Sequence, residues 1–178
     1  MDTVIELIGV VAFVITVMGI LFKEKQKVML FFTIYFLLML LTYFLKGEYS
    51  GSALVFIGLL RSLTYYFYSR KNLKANVWVV ILFETALLLT FIFTYVNFVS
   101  IIVMINFMII TYTAWQDNMT IFRISCAIIS PFMIFFNFFI QANMLAICEV
   151  VYFIAILVSI YKNDILPKRN NKTLVEKI

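Results

Sequence analysis

Three ionisable residues lie well away from the ends of long apolar stretches of the sequence: Arg61, Glu84 and Glu149. A charged side chain inside a bilayer is costly unless it is paired or hydrated, so each is a candidate for ion pairing, proton transfer or contact with a polar solute. The sequence has no His, no Gly-rich phosphate loop and no neighbouring pair of carboxylates. These absences argue against an enzyme, a metal site and a bound cofactor.

Arg61 and Glu149 have matching depths in their apolar stretches. Counted from the outer ends of stretches 53–68 and 142–161, they lie about 12 and about 10 Å deep at 1.5 Å per residue. We therefore predict an ion pair between them. The pair either lines a central solute route or fastens two helices together, and the sequence alone favours neither interpretation.

Glu84 lies about 10 Å from the inner end of the stretch 77–96. It has no partner in the sequence pattern unless Arg123 reaches it. Protonation is the cheapest alternative to pairing for a buried carboxyl, so proton coupling is the functional hypothesis for Glu84.

A polar stripe follows the stretch 120–140 at spacings of 3, 4, 3 and 4, which places its members on one helical face. The stripe consists of Arg123, Cys126, Ser130, Met133 and Asn137. Such a face either packs against another helix or lines a cavity. In the second case Asn106, Tyr65, Gly58 and Tyr68 would complete the cavity, and Pro131 would provide a hinge by freeing a backbone carbonyl.

The amino-acid composition indicates whether the segments that carry these residues lie in water or in lipid. The 178 residues are 65% hydrophobic and 13% charged, with a net charge of +5, and the mean hydropathy is +1.06. Soluble domains are about half apolar, so we predict an all-α integral membrane protein in contact with the lipid bilayer. Seven apolar stretches of transmembrane length are present, at 4–22, 28–45, 53–68, 77–96, 98–115, 120–140 and 142–161.

The basic residues indicate the orientation. With the N-terminus outside, twelve of the 14 Lys and Arg residues lie on the inner side, one (Lys46) lies on the outer side and one (Arg61) lies deep within a span. The excess of positive charge therefore faces the cytoplasm and its anionic lipid, and nucleic acid is not the expected partner. We predict one membrane domain at 1–161 and a mobile cytoplasmic tail at 162–178, which is polar and contains Pro167.

The spans also suggest an internal repeat. A shift of 92 residues superimposes the loop at 23–27 on 115–119 and Arg70 on Lys162. This gives two parallel repeats of three helices, at 4–68 and 98–161, joined by a linker helix at 77–96. Parallel repeats are one of the architectures found in transporters.

Several short motifs resemble those of the YgjV-type bacterial inner-membrane proteins, within the SWEET/MtN3 (PQ-loop) superfamily. They are Tyr-Phe-Leu-Lys-Gly-Glu-Tyr-Ser-Gly at 43–51, Leu-Leu-Arg-Ser at 59–62, Tyr-Thr-Ala-Trp-Gln-Asp-Asn at 112–118 before Phe122 and Arg123, and Ile-Tyr-Lys-Asn-Asp at 160–164. The Pro-Gln pair that names the PQ-loop group is absent. The resemblance implies a compact 3+1+3 bundle around a central solute route.

We therefore expect a multi-pass protein of the bacterial inner membrane that transports a small polar solute. The alternative is a non-catalytic membrane interaction protein, such as an accessory, immunity or regulatory subunit. Either function is compatible with a homo-oligomer.

Overall fold

A computed structural model describes residues 2–47, 49–94, 100–139 and 143–167. These residues form seven α-helices and one closing turn of π-helix. In chain order they are α1 (Asp2–Ile20), α2 (Lys25–Leu45), α3 (Tyr49–Arg70), α4 (Val77–Thr94), α5 (Ser100–Trp115), α6 (Met119–Phe139), α7 (Asn143–Ile160) and the π-helical turn Tyr161–Ile165. The all-α prediction is confirmed, and each helix corresponds to one predicted stretch.

The helix ends differ from the ends of the apolar stretches. α2 begins at Lys25 instead of residue 28, and α3 runs over Tyr49–Arg70 instead of 53–68. Backbone hydrogen bonds, and not side-chain hydropathy, decide where a helix ends, so polar flanking residues are included. The predicted break between the fourth and fifth stretches lies at 95–99, outside the described residues.

The predicted tail begins too early. The chain stays helical through Tyr161–Ile165 and as far as residue 167, and Asp164 lies against α6. The first six residues assigned to a mobile tail are therefore helical. Residues 168–178 lie outside the described part of the chain.

Within the described residues, four helical segments are long and apolar enough to cross a membrane: Lys25–Leu45, Val77–Thr94, Met119–Phe139 and Ala146–Ile165. Shorter apolar helical segments cover Leu7–Ile20 and Ile101–Trp115. Large apolar side chains remain exposed along the helices, for example Phe93 at 85% and Leu82 at 66%. A surface of this kind requires lipid as its solvent.

α2 lies at the centre of the bundle. It packs against α1 on one side and α3 on the other, and its aromatic side chains also reach two later helices. The ring of Phe32 lies 5.7 Å from that of Phe122 on α6, and the ring of Phe36 lies 6.5 Å from that of Phe107 on α5. Contacts between α1 and α7 and between α3 and α5 connect the early helices to the late ones.

Two glycines allow α2 to approach its neighbours closely. A Cβ atom built on Gly19 of α1 would lie 2.6 Å from Cβ of Phe31, and one built on Gly58 of α3 would lie 2.7 Å from the ring of Phe36. The first clash is the more severe, because Cβ of Phe31 is fixed to the backbone whereas a ring can rotate.

Gly19→Ala should therefore destabilise the bundle. Overpacking typically costs about 1–3 kcal/mol, which exceeds the gain of roughly 0.8–1 kcal/mol that Ala brings to a helix interior. Thermal unfolding of the detergent-purified protein measures the effect. Gly9→Ala on the same helix is the matched control, because no atom lies within 4 Å of its new Cβ. Equal melting temperatures for the two variants would contradict the close α1–α2 contact.

Candidate functional site

Arg61 is held by α5. Its side chain is 2% exposed, and Nη1 donates hydrogen bonds to Oγ1 of Thr111 at 2.7 Å and to the carbonyl of Phe107 at 3.3 Å. The ring of Phe36 lies 5.4 Å from the guanidinium carbon. One helical turn away, the hydroxyl of Tyr65 donates to the carbonyl of Thr111 at 3.4 Å. Polar contacts of α3 with α5 thus position the guanidinium inside the bundle.

The predicted ion pair between Arg61 and Glu149 is wrong. Both side chains are described, and the salt bridges found in the described residues do not join them. Glu149 lies near Tyr35 of α2 and near Cys126 and Cys148 instead. Residue counting gives depth along a helix, but the direction of a side chain around the helix axis decides which neighbour it meets.

The charged group that acts on Glu84 is Arg61. The two lie within electrostatic range across the α3–α4 contact, without forming a salt bridge in the described residues. Oε2 of Glu84 is buried and has no hydrogen-bond partner among the described residues. The suggested reach of Arg123 to Glu84 is wrong, because Arg123 binds Asp164.

The polar stripe of α6 does face the interior. Arg123, Cys126, Ser130 and Asn137 are 1%, 2%, 3% and 5% exposed, and Met133 is half-buried. Cys126 lies close to the hydroxyl of Tyr152 on α7. The one-face arrangement is confirmed, and cavity lining stays a prediction.

Two other predicted residues have contrasting positions. Oδ1 of Asn106 on α5 is buried without a hydrogen-bond partner in the described part of the chain. Pro131 lies in the middle of α6, which is helical on both sides of it, and its side chain is exposed on the outer surface. The hinge role of Pro131 stays a prediction.

The strongest polar contacts lie at one end of the bundle, which we call the basic end. It comprises the loops at 21–24, 71–76 and 116–118 and the turn Tyr161–Ile165. Here Nη1 of Arg123 lies 3.1 Å from Oδ2 of Asp164, and their side chains are 1% and 10% exposed. Nη2 of Arg123 donates to the carbonyl of Phe22 at 2.6 Å.

Further hydrogen bonds surround this ion pair. Oγ1 of Thr120 donates to Asp164 at 2.6 Å, and Ser159 donates to the carbonyl of Ile20 at 2.6 Å. Asn163 donates to the carbonyl of Leu21 at 3.1 Å. The end of α1, the start of α6 and the end of α7 are thereby joined.

Lys25 connects the remaining segments of the basic end. Its Nζ donates to the carbonyls of Trp115 and Gln116 at 3.1 and 2.9 Å and to Oδ1 of Asp117 at 3.2 Å. The indole Nε1 of Trp115 in turn donates to the carbonyl of Ala75 at 2.7 Å. The start of α2, the end of α5 and the α3–α4 loop therefore meet.

Sequence reasoning missed this network. Asp117 and Asp164 enter the sequence analysis only as parts of short motifs, although Asp164 is a single acid among Lys162, Lys168 and Arg169. That isolation was the available signal. Within the described residues, no three His, Cys, Asp or Glu side chains converge as metal ligands would.

A comparison with known families identifies the chain. The Imp-YgjV family model, described as bacterial inner membrane protein, matches residues 3–165. The chain belongs to this family. No curated protein and no solved structure matches it.

Membership of the YgjV family agrees with the apolar helices and assigns the chain to the bacterial inner membrane. Two of the motifs that suggested the family contribute to the contacts at the basic end. Residues 112–118 supply the acceptors of Lys25, while Arg123 and Asp164 form the buried ion pair. In this YgjV family member, these motifs connect the ends of the helices.

Asp164→Asn should destabilise the protein strongly. Removing one partner of a buried ion pair typically costs about 3–5 kcal/mol, because the other charge stays buried without compensation. Asp117→Asn is the matched control. It removes the same charge from an aspartate that is 62% exposed, where a pair contributes about 0–1 kcal/mol. Similar melting temperatures for both variants would contradict the dominant role of the Arg123–Asp164 pair.

Proposed function

We propose that this protein carries a small polar solute across the bacterial inner membrane. The observation that supports the proposal is the pair of buried acceptors, Oε2 of Glu84 and Oδ1 of Asn106, that have no partner among the described residues. They belong to adjacent helices, α4 and α5, and Arg61 lies within electrostatic range of Glu84.

Buried acceptors without a hydrogen bond lower the stability of a protein and contribute nothing to its packing. A buried acceptor without a hydrogen bond costs about 1–3 kcal/mol, and lipid provides no substitute partner. Leu or Met would fill either position without that cost. The polar groups are explained if a solute, with water in its absence, donates hydrogen bonds to them. Glu84 is then the residue proposed to couple a proton to the solute.

The helix contacts support the repeat that this function requires. If α1, α2 and α3 correspond to α5, α6 and α7, the α1–α7 contact corresponds to the α5–α3 contact, and both are present. We propose seven spans in a SWEET-like 3+1+3 arrangement, with α1, α3 and α5 crossing the membrane as well. The proposed solute route runs between the two sets of three helices.

A metabolite panel tests the transport proposal. A bound solute at 100 times its Kd stabilises the native state by about 2.7 kcal/mol, which we expect as a raised melting temperature for one class of polar solute. Asn106→Leu should abolish this shift and leave the unliganded protein at least as stable, because it removes an unpaired acceptor.

Thr90→Val is the control variant, since its hydroxyl donates to the carbonyl of Ala86 within α4 and its solute shift should persist. If no solute raises the melting temperature, the membrane interaction protein becomes the better proposal. If Asn106→Leu lowers the stability of the unliganded protein, the amide is a packing group.

Single cysteines test the proposed orientation. In a Cys126→Ser, Cys148→Ser background, a membrane-impermeant maleimide should label Lys46→Cys in intact cells. Asn72→Cys should react only after the membrane is permeabilised, because its loop carries the positive charge that marks the cytoplasmic side. The opposite labelling pattern would place the N-terminus inside.

A further inference from the structure

The cations of the basic end differ in whether an acid neutralises them. Lys25, Lys27 and Arg123 each form a salt bridge, with Asp117, Glu24 and Asp164. The α3–α4 loop has no such compensation. Arg70, Lys71 and Lys74 lie within five residues of one another, all are exposed, and no salt bridge of the described residues involves them.

This basic loop is held in one conformation. Leu73 donates its backbone N–H to the carbonyl of Tyr68 at 2.9 Å, and Asn72 adopts a left-handed backbone with φ of 52°. The bond from Trp115 to Ala75 fastens the loop to α5, and Nζ of Lys74 lies 4.5 Å above the Trp115 ring. The positive charges are therefore presented on a fixed scaffold, and little conformational entropy is lost when they bind an anion.

Apolar side chains flank the three cations. Leu73 and Trp78 are 57% and 70% exposed, and Trp78 is the second residue of the membrane-length helix α4. A surface that combines exposed cations with an exposed indole at the end of an apolar helix matches the boundary between lipid headgroups and acyl chains.

We propose that Arg70, Lys71 and Lys74 bind the headgroup of an anionic phospholipid, with Leu73 and Trp78 against its acyl chains. The charges of the loop fit a phosphate, and its apolar flanks fit a lipid better than a free anion. The site is independent of solute transport, so it can be present whether or not the transport proposal holds.

The two tryptophans of the chain are natural reporters of this site, since Trp115 lies under Lys74 and Trp78 lies beside the loop. Fluorescence quenching by brominated phosphatidylglycerol, compared with brominated phosphatidylcholine, is titrated on the full-length protein in detergent micelles. We expect phosphatidylglycerol to quench at much lower mole fraction. In Lys71→Gln/Lys74→Gln, its affinity should fall by a factor on the order of 30, from about 1 kcal/mol per basic residue.

The matched control is Lys23→Gln/Lys162→Gln, which removes two exposed charges from the same basic end and should keep the preference for phosphatidylglycerol. Equal quenching of the unmodified protein by both lipids would overturn the proposal. Equal losses in the two double variants would also overturn it, because they would indicate a general attraction to the basic end. Displacement of phosphatidylglycerol by millimolar inorganic phosphate would identify a phosphate site instead of a lipid site.

Discussion

The guanidinium of Arg123 is buried where three distant parts of the chain meet. It lies on α6, binds the carboxylate of Asp164 beyond α7 and donates to the carbonyl of Phe22 beyond α1. Burying an ion pair costs several kcal/mol per ion unless close geometry and additional hydrogen bonds compensate. Those bonds form only when the segment after α1 and the turn after α7 are both docked on α6. One side chain therefore links the segment after α1 and the π-helical turn to α6.

Cations also satisfy the ends of two helices at the basic end. The last carbonyls of a helix have no partner within it, and positive groups are favoured there by the helix dipole. Lys25 of α2 binds the last carbonyl of α5, at Trp115, and Arg123 of α6 binds the carbonyl of Phe22, two residues beyond α1. Lys25 thus belongs to the first predicted repeat and binds the second, whereas Arg123 belongs to the second and binds the first. In the proposed transporter, opening the basic end requires that these bonds break.

The sequence predicted what depends on local composition. The seven helices, the inward face of α6 and the basic loops follow from hydropathy and spacing, which act over a few residues. The contacts that side chains make with other helices could not be predicted from local composition, as Arg61 illustrates. Its depth matched that of Glu149, but the direction in which α3 turns it leads to Thr111. The π-helical turn that aligns Asp164 with Arg123 likewise depends on tertiary contacts and not on local propensity.

The buried polar groups of this bundle differ in how completely their hydrogen bonds are satisfied. At the basic end, Asp164 receives hydrogen bonds from Thr120 and Arg123. Nε of Arg123 is a buried donor without a partner among the described residues, but the unpaired acceptors lie elsewhere. Deeper in the bundle, Glu84 and Asn106 each keep a buried acceptor without a partner in the described residues. Water is most accessible at helix ends, so a fold selected for stability alone would leave its unpaired acceptors there. Under the transport proposal, the unpaired acceptors in the middle of the bundle are the groups that a solute would bind.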